Sequence, residues 1–514
     1  MGPATASNLG RLLTQTARRL PDAPALAWRG RSWTFRELDQ RVDRLAEALR
    51  GLGVAKGERV LVHSRNSNAM FESMWACFKA GAVWVPTNVR LTPAEVAHLG
   101  ASSRAVAMIR DAGFAGHAAA VRAASPHLRH VVAVGDPGPG ELDYDNLLVA
   151  NAPTLPDREE AVGYDDPCWF FYTSGTTGRP KAAVLTHGQM AFVVTNHLAD
   201  LMPGTTERDA SLVVAPLSHG AGIHQHAQVA RGAGTVLDPP EAWELVERHR
   251  VTNMFTVPTI LTALVRHPAV DAHDHSSLRH VIYAGAPMYA ADQAEALAKL
   301  GPCLVQYFGL GEVTGNITVL RPDMHTAENV GSCGVPRTGM EVAILGEDGT
   351  RLPPDTVGEI CVRGPAVFAG YFENEEASAK AFAGGWFHTG DLGRMDARGF
   401  LWITGRASDM YISGGSNVYP REAEEAILTH PAVAEVAVVG MPHPKWGEAG
   451  IACVVPRPGM AVGEAEILAH LKDRIARYKQ PLRVVVWDAL PKSGYGKVPK
   501  AMVRARLAEV GVAF

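Results

Sequence analysis

Short apolar runs alternate with helix-length segments between residues 35 and 307. The runs are predicted strands at residues 59–63, 82–86, 168–173, 212–215, 254–257, 281–284 and 304–307. The segments between them are predicted helices at residues 35–52, 69–79, 187–201, 242–250, 259–266 and 291–300. Strands that alternate with helices favour parallel sheets with helices on their faces, so the sequence predicts an α/β fold.

The length of 514 residues exceeds what one hydrophobic core usually supports, so we expect at least two domains. From about residue 331 the chain changes to short strands with Gly and Pro turns, as at residues 341–345 and 359–363, which indicates a β-rich subdomain. A boundary is predicted at residues 405–408. Beyond it, helices at 421–429 and 464–478 and strands at 433–439, 451–455 and 483–487 indicate a small α+β domain. We therefore expect a large domain at 1–404 and a small one at 409–514.

Charge and cysteine usage exclude several classes of protein. Lys plus Arg is 49 and Asp plus Glu is 53, a net charge of −4, so no nucleic-acid partner is expected. The six cysteines are scattered without a C-x-x-C pair, which predicts neither a zinc site nor a disulfide framework. The sequence shows no signal peptide and no membrane span, and we expect a cytoplasmic protein.

The strongest motif is Thr-Ser-Gly-Thr-Thr-Gly-Arg-Pro-Lys at residues 173–181, which follows an apolar strand and is expected to precede a helix. Gly175 and Gly178 let the backbone turn its N–H groups toward an anion. Its further donors are Thr173, Ser174, Thr176, Thr177 and Lys181. This set suits a polyphosphate, although the spacing matches neither a Walker A loop nor a dinucleotide fingerprint.

This nonapeptide resembles the phosphate-binding signature of the adenylate-forming superfamily, which includes acyl-CoA synthetases, peptide-synthetase adenylation domains and firefly luciferase. Four further segments resemble family motifs in the family order. They are Tyr-Ala-Gly-Ala-Pro at 283–287, Gln-Tyr-Phe-Gly-Leu-Gly-Glu at 306–312, Trp-Phe-His-Thr-Gly-Asp at 386–391 with Gly-Arg at 405–406, and Pro-Lys-Ser-Gly-Tyr-Gly-Lys at 491–497. The resemblance covers roughly residues 20–505.

The resemblance implies residues for the nucleotide and its metal. Phe308 would stack on adenine, and Glu312 with Thr173 would hold Mg²⁺. The remaining adenine and acyl contacts would come from Gly285, Ala286, Pro287, Tyr307 and Gly309. Gly311 stands where the family usually has Thr, so a hydroxyl is missing that Thr314 or a water could replace.

The resemblance also implies residues for the ribose and for the moving domain. Asp391 would accept both ribose hydroxyls, Arg406 would contact ribose and phosphate, and Lys497 would reach the carboxylate and the α-phosphate. After rotation of the small domain about Ser408, or the competing Asp409, a loop would shape the thiol tunnel. That loop contains Ser413, Gly414 and Gly415. The neighbouring Lys492 and Lys500 are expected to be solvated surface charges.

By the same resemblance, His219 aligns with a family residue that lines the acyl site. A metal site formed by His224 and His226 is not favoured, because no third ligand is apparent. The acyl pocket candidates are His219, Ala221, His224, Tyr283, Ala284, Gly309 and Gly315. Their small residues favour an aromatic or medium acyl group, and the histidines leave a polar or hydroxylated acid open.

The implied reaction joins a small-molecule carboxylic acid to coenzyme A through an acyl-adenylate, with ATP and Mg²⁺. Lys497, Glu312, His219 and Lys181 would carry catalysis by positioning and charge neutralisation. Two alternatives stay open: a stand-alone adenylation domain that loads a carrier protein, and a non-catalytic acyl-adenylate-binding protein, which Gly311 motivates. The expected assembly is a monomer or a homodimer.

Overall fold

A computed structural model of the chain describes residues 5–153, 159–174, 180–237, 241–286, 288–414, 416–472, 474–493 and 498–514. The chain divides into two compact units. The first contains Met1–Met288, Asp292–Val342 and Val362–Phe387, and the second contains Tyr289–Ala291, Ala343–Cys361 and His388–Phe514. The α/β fold class expected from the sequence is confirmed.

The strands, in chain order, are β1 Thr5–Ala6, β2 Pro24–Trp28, β3 Arg31–Thr34, β4 Arg59–His63, β5 Val83–Pro86, β6 Ala107–Asp111, β7 His130–Val134, β8 Leu142–Asp143, β9 Val162–Gly163, β10 Pro167–Ser174, β11 Pro180–Thr186, β12 Ala210–Val213, β13 Gly234–Val236, β14 Asn253–Thr256, β15 His280–Tyr283, β16 Leu304–Phe308, β17 Thr318–Leu320, β18 Val335–Pro336, β19 Glu341–Leu345, β20 Gly358–Arg363, β21 Phe387–Met395, β22 Leu401–Arg406, β23 Tyr411–Ser413, β24 Ser416–Val418, β25 Val433–His443, β26 Gly447–Pro456 and β27 Arg483–Val486. The α-helices are α1 Arg11–Arg19, α2 Phe35–Gly51, α3 Asn68–Ala80, α4 Pro93–Ser102, α5 Ala115–Ala124, α6 Tyr144–Ala150, α7 His187–Asp200, α8 Gly220–Arg231, α9 Ala242–Arg248, α10 Pro258–Arg266, α11 Ala290–Leu300, α12 Glu375–Ala381, α13 Pro420–Leu428, α14 Glu464–Leu471 and α15 Lys500–Glu509.

The first unit contains a seven-stranded sheet in the order β11-β10-β5-β4-β6-β7-β8. Its strands from β10 to β8 pair in parallel, and β11 is added antiparallel at the edge. Leu61, Val85 and Met108 are buried in one apolar cluster with Val96 of α4 and Val121 of α5. Burial of the strands under helices explains why they read as continuous apolar runs in the sequence.

A nine-stranded sheet, also in the first unit, has the order β18-β17-β16-β15-β14-β12-β13-β2-β3. The strands from β16 to β2 are parallel, and antiparallel strands close both sides. The hairpin β2–β3 turns through Arg29 and Gly30, both in the left-handed region at φ 48° and 73°. In such sheets, ligands bind beyond the carboxyl ends of the parallel strands, which here lie at one edge.

The second unit holds most of the four-stranded sheet β19-β20-β21-β22 and a five-stranded sheet in which β27 pairs with β26 of the order β24-β23-β26-β25. The side chains of β25 alternate between two apolar clusters. Val438 packs with α13 and α14, whereas Val439 packs with α15. The α+β character expected for residues 409–514 is therefore present.

The predicted helix at 464–478 is shorter than expected, because α14 ends at Leu471. The side-chain amide of Gln480 donates to the carbonyls of Leu471 and Ile475 at 3.0 and 2.9 Å. The first of these bonds satisfies the carbonyl of the last helical residue, and the second holds the chain that follows the helix.

Residues 388–514 all belong to the second unit, so the predicted boundary at 405–408 lies inside it. The division into domains at 1–404 and 409–514 and the hinge between them both stay predictions. In the described part of the chain, no helix has the length and apolarity needed to cross a membrane.

Candidate active site

The described ends of the phosphate motif, residues 173–174 and 180–181, lie on two antiparallel strands, β10 and β11. The helix expected after the motif is confirmed, since α7 begins at His187, but a strand that was not predicted, β11 Pro180–Thr186, comes before it. The largely apolar sequence after Lys181 pairs with β10, and this register places Lys181 opposite Thr173. Gly175, Thr176, Thr177 and Gly178 lie outside the described residues, and only the backbone of Ser174 is described.

Glu312 is the centre of a polar cluster next to strands β10 and β11. It lies in the 3₁₀ turn Gly311–Val313 that follows β16, and it is 5% exposed. The hydroxyl of Thr173 donates to Glu312 Oε1 at 2.8 Å, and the hydroxyl of Tyr371 donates to the same oxygen at 3.0 Å. The structure thus brings together two residues that the sequence proposed for Mg²⁺.

Lys181 and Tyr371 complete the electrostatics of this cluster. The ammonium of Lys181 lies 5.2 Å from the centre of the Tyr371 ring, a distance typical of a cation–π contact. Burial and the neighbouring Glu312 carboxylate raise the pKa of the Tyr371 hydroxyl, so this group stays a hydrogen-bond donor. The oxygen atoms of this cluster suit Mg²⁺, which prefers oxygen ligands. Thr173 offers its hydroxyl oxygen, and Glu312 offers its second carboxylate oxygen, Oε2.

Gly311 packs directly against Phe171. A β-carbon at residue 311 would lie 2.5 Å from Phe171 Cδ1 and 3.0 Å from Thr173 Cγ2. The aromatic ring therefore fills the space in which a side chain at 311 would begin. Without a shift of Phe171, no hydroxyl can be placed there.

Thr314 does not supply the missing hydroxyl. Its side chain is 1% exposed, donates to the Val313 carbonyl at 2.6 Å and accepts from Asn316 Nδ2 at 3.0 Å. These bonds use the hydroxyl within its own turn. The structure therefore does not support the possibility, left open by the sequence, that the Thr314 hydroxyl replaces the one missing at Gly311.

Several predicted nucleotide contacts lie at the carboxyl edge of the nine-stranded sheet. Gly285 and Ala286 follow β15 and are exposed, while Phe308 ends β16 and is half-buried. Pro287 lies outside the described residues. Tyr307 alternates to the other face, where it is 7% exposed and stacks on Phe255 with ring centres 5.9 Å apart. The structure thus separates Tyr307 from Phe308.

His219 stands immediately before α8. Its Nδ1 is 2.7 Å from the hydroxyl of Ser218, and its ring lies edge-on to Phe171 with centres 5.5 Å apart. His224 and His226 lie further along α8 and have different neighbours. His224 bonds Asn253 at 3.0 Å, whereas His226 lies among Trp75, Phe78 and Trp169.

The glycines among the pocket candidates accommodate protein atoms. A β-carbon at Gly309 would lie 2.4 Å from Gly315 Cα, and one at Gly315 would lie 2.5 Å from the Tyr307 ring. Gly220, which is not one of the candidates, is equally crowded: a β-carbon there would meet Phe255 at 2.6 Å and the Tyr307 hydroxyl at 3.2 Å. Close packing against Gly315 and Tyr307 therefore requires glycine at residues 309 and 315, so the small size of these two residues does not measure the room left for an acyl group.

In the second unit, Asp391 and Arg406 are cross-strand partners on β21 and β22. Arg406 Nε donates to Asp391 Oδ1 at 3.0 Å, and the Asp391 side chain is 7% exposed while the Arg406 side chain is 49% exposed. An oriented carboxylate beside an accessible guanidinium suits a polyhydroxyl group with a nearby phosphate.

Glu359 holds the turn before Asp391. Its Oε1 accepts from Gly390 N–H at 3.0 Å and its Oε2 is 2.7 Å from His388 Nδ1. Cys361 joins them in a group whose ligand atoms lie within 4.8 Å of one another. Burial raises the pKa of the Cys361 thiol to about 12, which keeps it protonated. We interpret the group as a hydrogen-bonded support for Gly390, which needs its left-handed φ of 72°.

The structure describes some of the residues that were predicted to act in the C-terminal part of the chain. Gly414 has a φ of 57°, donates its N–H to the Trp446 carbonyl at 2.9 Å and follows Ser413 of β23. Gly415 and Lys497 lie outside the described residues. Lys492 is exposed, as expected, and pairs with Glu435. The expectation for Lys500 is wrong, because it pairs with the buried Glu424 and is only 13% exposed.

Sequence reasoning missed four residues that contact the candidate residues or support the turns beside them: Phe171, Glu359, Tyr371 and Arg337, whose Nη1 donates to the Gly315 carbonyl at 3.2 Å. Each acts on a site residue that is distant in the chain, such as Tyr371 on Glu312. The only signal for Tyr371 is an aromatic residue after Ala-Gly at 369–370, which is too common to interpret.

Comparisons with known proteins agree with this arrangement. Residues 13–372 match the family model "AMP-binding enzyme", and residues 422–497 match "AMP-binding enzyme C-terminal domain". A feruloyl-CoA synthase from Amycolatopsis is 40% identical over 97% of this chain and 99% of its own length. An indoleacetate–CoA ligase from Aromatoleum aromaticum is 35% identical over 95% of this chain and 96% of its own. The crystal structure of an anthranilate CoA ligase with anthranoyl-AMP has a TM-score of 0.89 and 28% identity, and covers 98% of both chains.

The paired matches span both units, and the relatives align over nearly their whole length. AMP-forming CoA ligases use ATP, Mg²⁺ and coenzyme A. The similarity to these ligases does not favour the two alternatives, a domain that loads a carrier protein and a non-catalytic binding protein. The chain belongs to the AMP-binding enzyme family and is an AMP-forming acyl-CoA synthetase.

Proposed function

We propose that the carboxylic acid which this enzyme activates is aromatic. The observation that carries the proposal is the set of rings around the start of α8. Phe171 lies edge-on to His219, and the stacked pair Phe255–Tyr307 reaches Gly220, the residue after His219. Flat rings pack well against an aromatic acid. The relatives named above carry aromatic acids in their names, which supports the same class.

The proposed residue roles for the phosphates follow from the Glu312 cluster. Thr173 and Glu312 would hold Mg²⁺, which when bound shields the charge of the phosphates. Lys181, opposite Thr173, would place its ammonium against the phosphate chain. Glu312 can fill this role because Thr173 and Tyr371 fix its orientation.

The proposed roles for the nucleoside lie on other elements. Asp391, held by Arg406, would accept the ribose hydroxyls. Phe308 would stack on adenine, beside the exposed Gly285 and Ala286. His219 would line the acid-binding side, with its ring orientation set by Ser218 and Phe171.

Chemistry then proceeds without a protein nucleophile. A carboxylate oxygen forms a bond to the α-phosphorus of ATP, and pyrophosphate leaves. The thiol sulfur of coenzyme A next attacks the acyl carbonyl carbon, and AMP leaves. Lys181 and Lys497 would neutralise the charge that develops on the α-phosphate, so the enzyme contributes positioning and electrostatic stabilisation.

The remaining assignments belong to the same proposal. Residues 405–408 would form a hinge about which residues 409–514 rotate between the two half-reactions, and Ser413, Gly414 and Gly415 would shape the thiol tunnel. The enzyme would work in the cytoplasm as a monomer or homodimer. Light scattering after size-exclusion chromatography tests the assembly.

A panel of acids tests the substrate class. Acid-dependent exchange of pyrophosphate into ATP is measured with ferulate, indoleacetate, anthranilate and benzoate, and with hexanoate, octanoate and malonate. We expect kcat/KM for the preferred aromatic acid to exceed that of the preferred aliphatic acid by about tenfold or more. A Glu312→Gln variant controls for contaminating ligases. An aliphatic acid that outperforms every aromatic one would overturn the proposal.

A further inference from the structure

Arg337 is a buried cation behind the acid-binding side of the site. It follows β18, and its side chain is 0% exposed. Burial lowers the pKa of the guanidinium to about 10, although the Asp200 carboxylate acts in the opposite direction. The group therefore stays charged at neutral pH. A desolvated charge is costly, so its retention in the fold calls for a reason.

The guanidinium contacts three elements of the first unit: the 314–315 turn, α7 and β16. Nη1 donates to the carbonyl of Gly315 at 3.2 Å, and Nη2 donates to Nδ1 of His197 on α7 at 3.3 Å. Nε lies 3.7 Å from Asp200 Oδ2, and the central carbon lies 5.9 Å from the Tyr307 ring. A planar fork with five donors can make these contacts together, which a single ammonium cannot.

The carbonyl that Arg337 holds belongs to an unusual turn. Thr314 and Gly315 both lie in the left-handed region, at φ 50° and 78°, two and three residues after Glu312. A non-glycine residue in this region stores strain and persists only when its surroundings fix it. Gly315 also packs against Tyr307 so closely that it has no room for a side chain.

We propose that Arg337 is a positioning residue for the acid-binding side: it fixes the 314–315 turn through the Gly315 carbonyl and holds the Tyr307 ring behind it. The proposal rests on the proposed function, in which this side receives the acid. Without the guanidinium, the Gly315 carbonyl loses its donor and the turn loses the contact that opposes its strain. The wall formed by Gly315 and Tyr307 then shifts, while the Glu312 carboxylate keeps the hydrogen bonds from Thr173 and Tyr371 that fix its orientation.

Steady-state exchange kinetics of Arg337→Met test this inference. Methionine keeps a long side chain and removes every donor. We expect KM for the acid to rise about tenfold or more, because small misplacements at a reacting site are costly, while KM for ATP stays within about twofold. Arg337→Lys keeps the charge but reaches fewer partners, so an intermediate rise is expected, and it supplies the test if the Met variant does not fold.

Arg110→Met is the matched control. Arg110 is also 0% exposed, pairs with Glu141, and donates to the carbonyls of Ala112 and Asp136 in the seven-stranded sheet. The Arg110→Met variant should lose thermal stability, while KM for the acid and KM for ATP stay unchanged. Unchanged acid KM in the folded Arg337 variants, an equal rise in both KM values, or the same acid-specific rise in Arg110→Met would each overturn the proposal.

The acid used is the one that the panel ranks first, whether aromatic or not. If that acid is aliphatic, the proposed substrate class fails, but the split between the two KM values still decides the role of Arg337. The two outcomes are therefore distinguishable.

Discussion

Lowering the pH from about 7.5 to about 5 is expected to destabilise the first unit through His226, which is fully buried on α8. Its Nδ1 lies 3.0 Å from the Gly222 carbonyl and 3.1 Å from that of Ile223, so Nδ1 carries the hydrogen. Nε2 is buried without a hydrogen-bond partner among the described residues. Trp75 and Phe78 surround the ring, with centres 5.2 and 5.5 Å away. A proton on Nε2 would therefore place a charge in an apolar site.

Burial lowers the pKa of His226 to about 4 from the ordinary value of 6.5. Between these two values the unfolded chain binds a proton that the native chain does not. Stability is therefore complete above the ordinary pKa and is lost as the pH falls toward the lowered one. At pH 5 the linkage relation gives a loss of about 2 kcal/mol from this histidine alone.

The assay is urea unfolding followed by tryptophan fluorescence, which Trp75 and Trp169 near His226 make sensitive to this unit. His226→Asn keeps a donor near the Nδ1 position and removes the titration. We expect the variant to be less stable at pH 7.5 but to lose about 2 kcal/mol less than the parent between pH 7.5 and 5. The exposed His127→Asn is the matched control and should leave the parent's pH dependence unchanged. An equal pH dependence in parent and His226→Asn would refute the reasoning.

Two further predictions concern the chemistry. Glu312→Gln removes the charge but keeps the shape, and it should lower the rate of pyrophosphate exchange at least about 100-fold. Tyr371→Phe removes one of the two hydrogen-bond donors to Glu312 Oε1; it should lower the exchange rate about tenfold or less and raise the Mg²⁺ concentration needed for half-maximal rate. Equal losses in both variants would contradict the central place of the carboxylate. Lys497→Ala should impair adenylation far more than thioester formation from preformed acyl-adenylate, as measured by single-turnover kinetics of each half-reaction. Equal loss in the two half-reactions would contradict its proposed role.

The sequence predicted the elements that have a strong local pattern. Strands such as Arg59–His63 and helices such as Phe35–Gly51 carry apolar runs or helical periodicity, and both were located within a residue or two. Strand β11 was not predicted, because its first two residues belong to the phosphate motif and its pairing with β10 is what makes residues 180–186 a strand. Tertiary context overrides local pattern in such cases.

The sequence named candidate site residues but not their contacts. The resemblance to the family motifs named Thr173, Glu312, Asp391 and Arg406, and the structure pairs the first two and the last two. The partners that orient them could not be predicted, because Tyr371 lies 59 residues from Glu312 in the chain. Contacts of this kind depend on how sheets and loops pack, which local sequence does not encode.

Gly311 shows how such contacts change the interpretation of a motif. By itself the glycine removes a hydroxyl and motivates a protein that binds without catalysing. In the structure, Glu312 still receives two hydroxyl donors, from Thr173 and Tyr371, so the carboxylate proposed for Mg²⁺ keeps its orientation. What occupies the space beside Gly311 is the Phe171 ring, which also contacts His219. The glycine therefore leaves the Thr173–Glu312 geometry that we propose for Mg²⁺ intact, and it places an aromatic ring on the side where we propose that an aromatic acid binds.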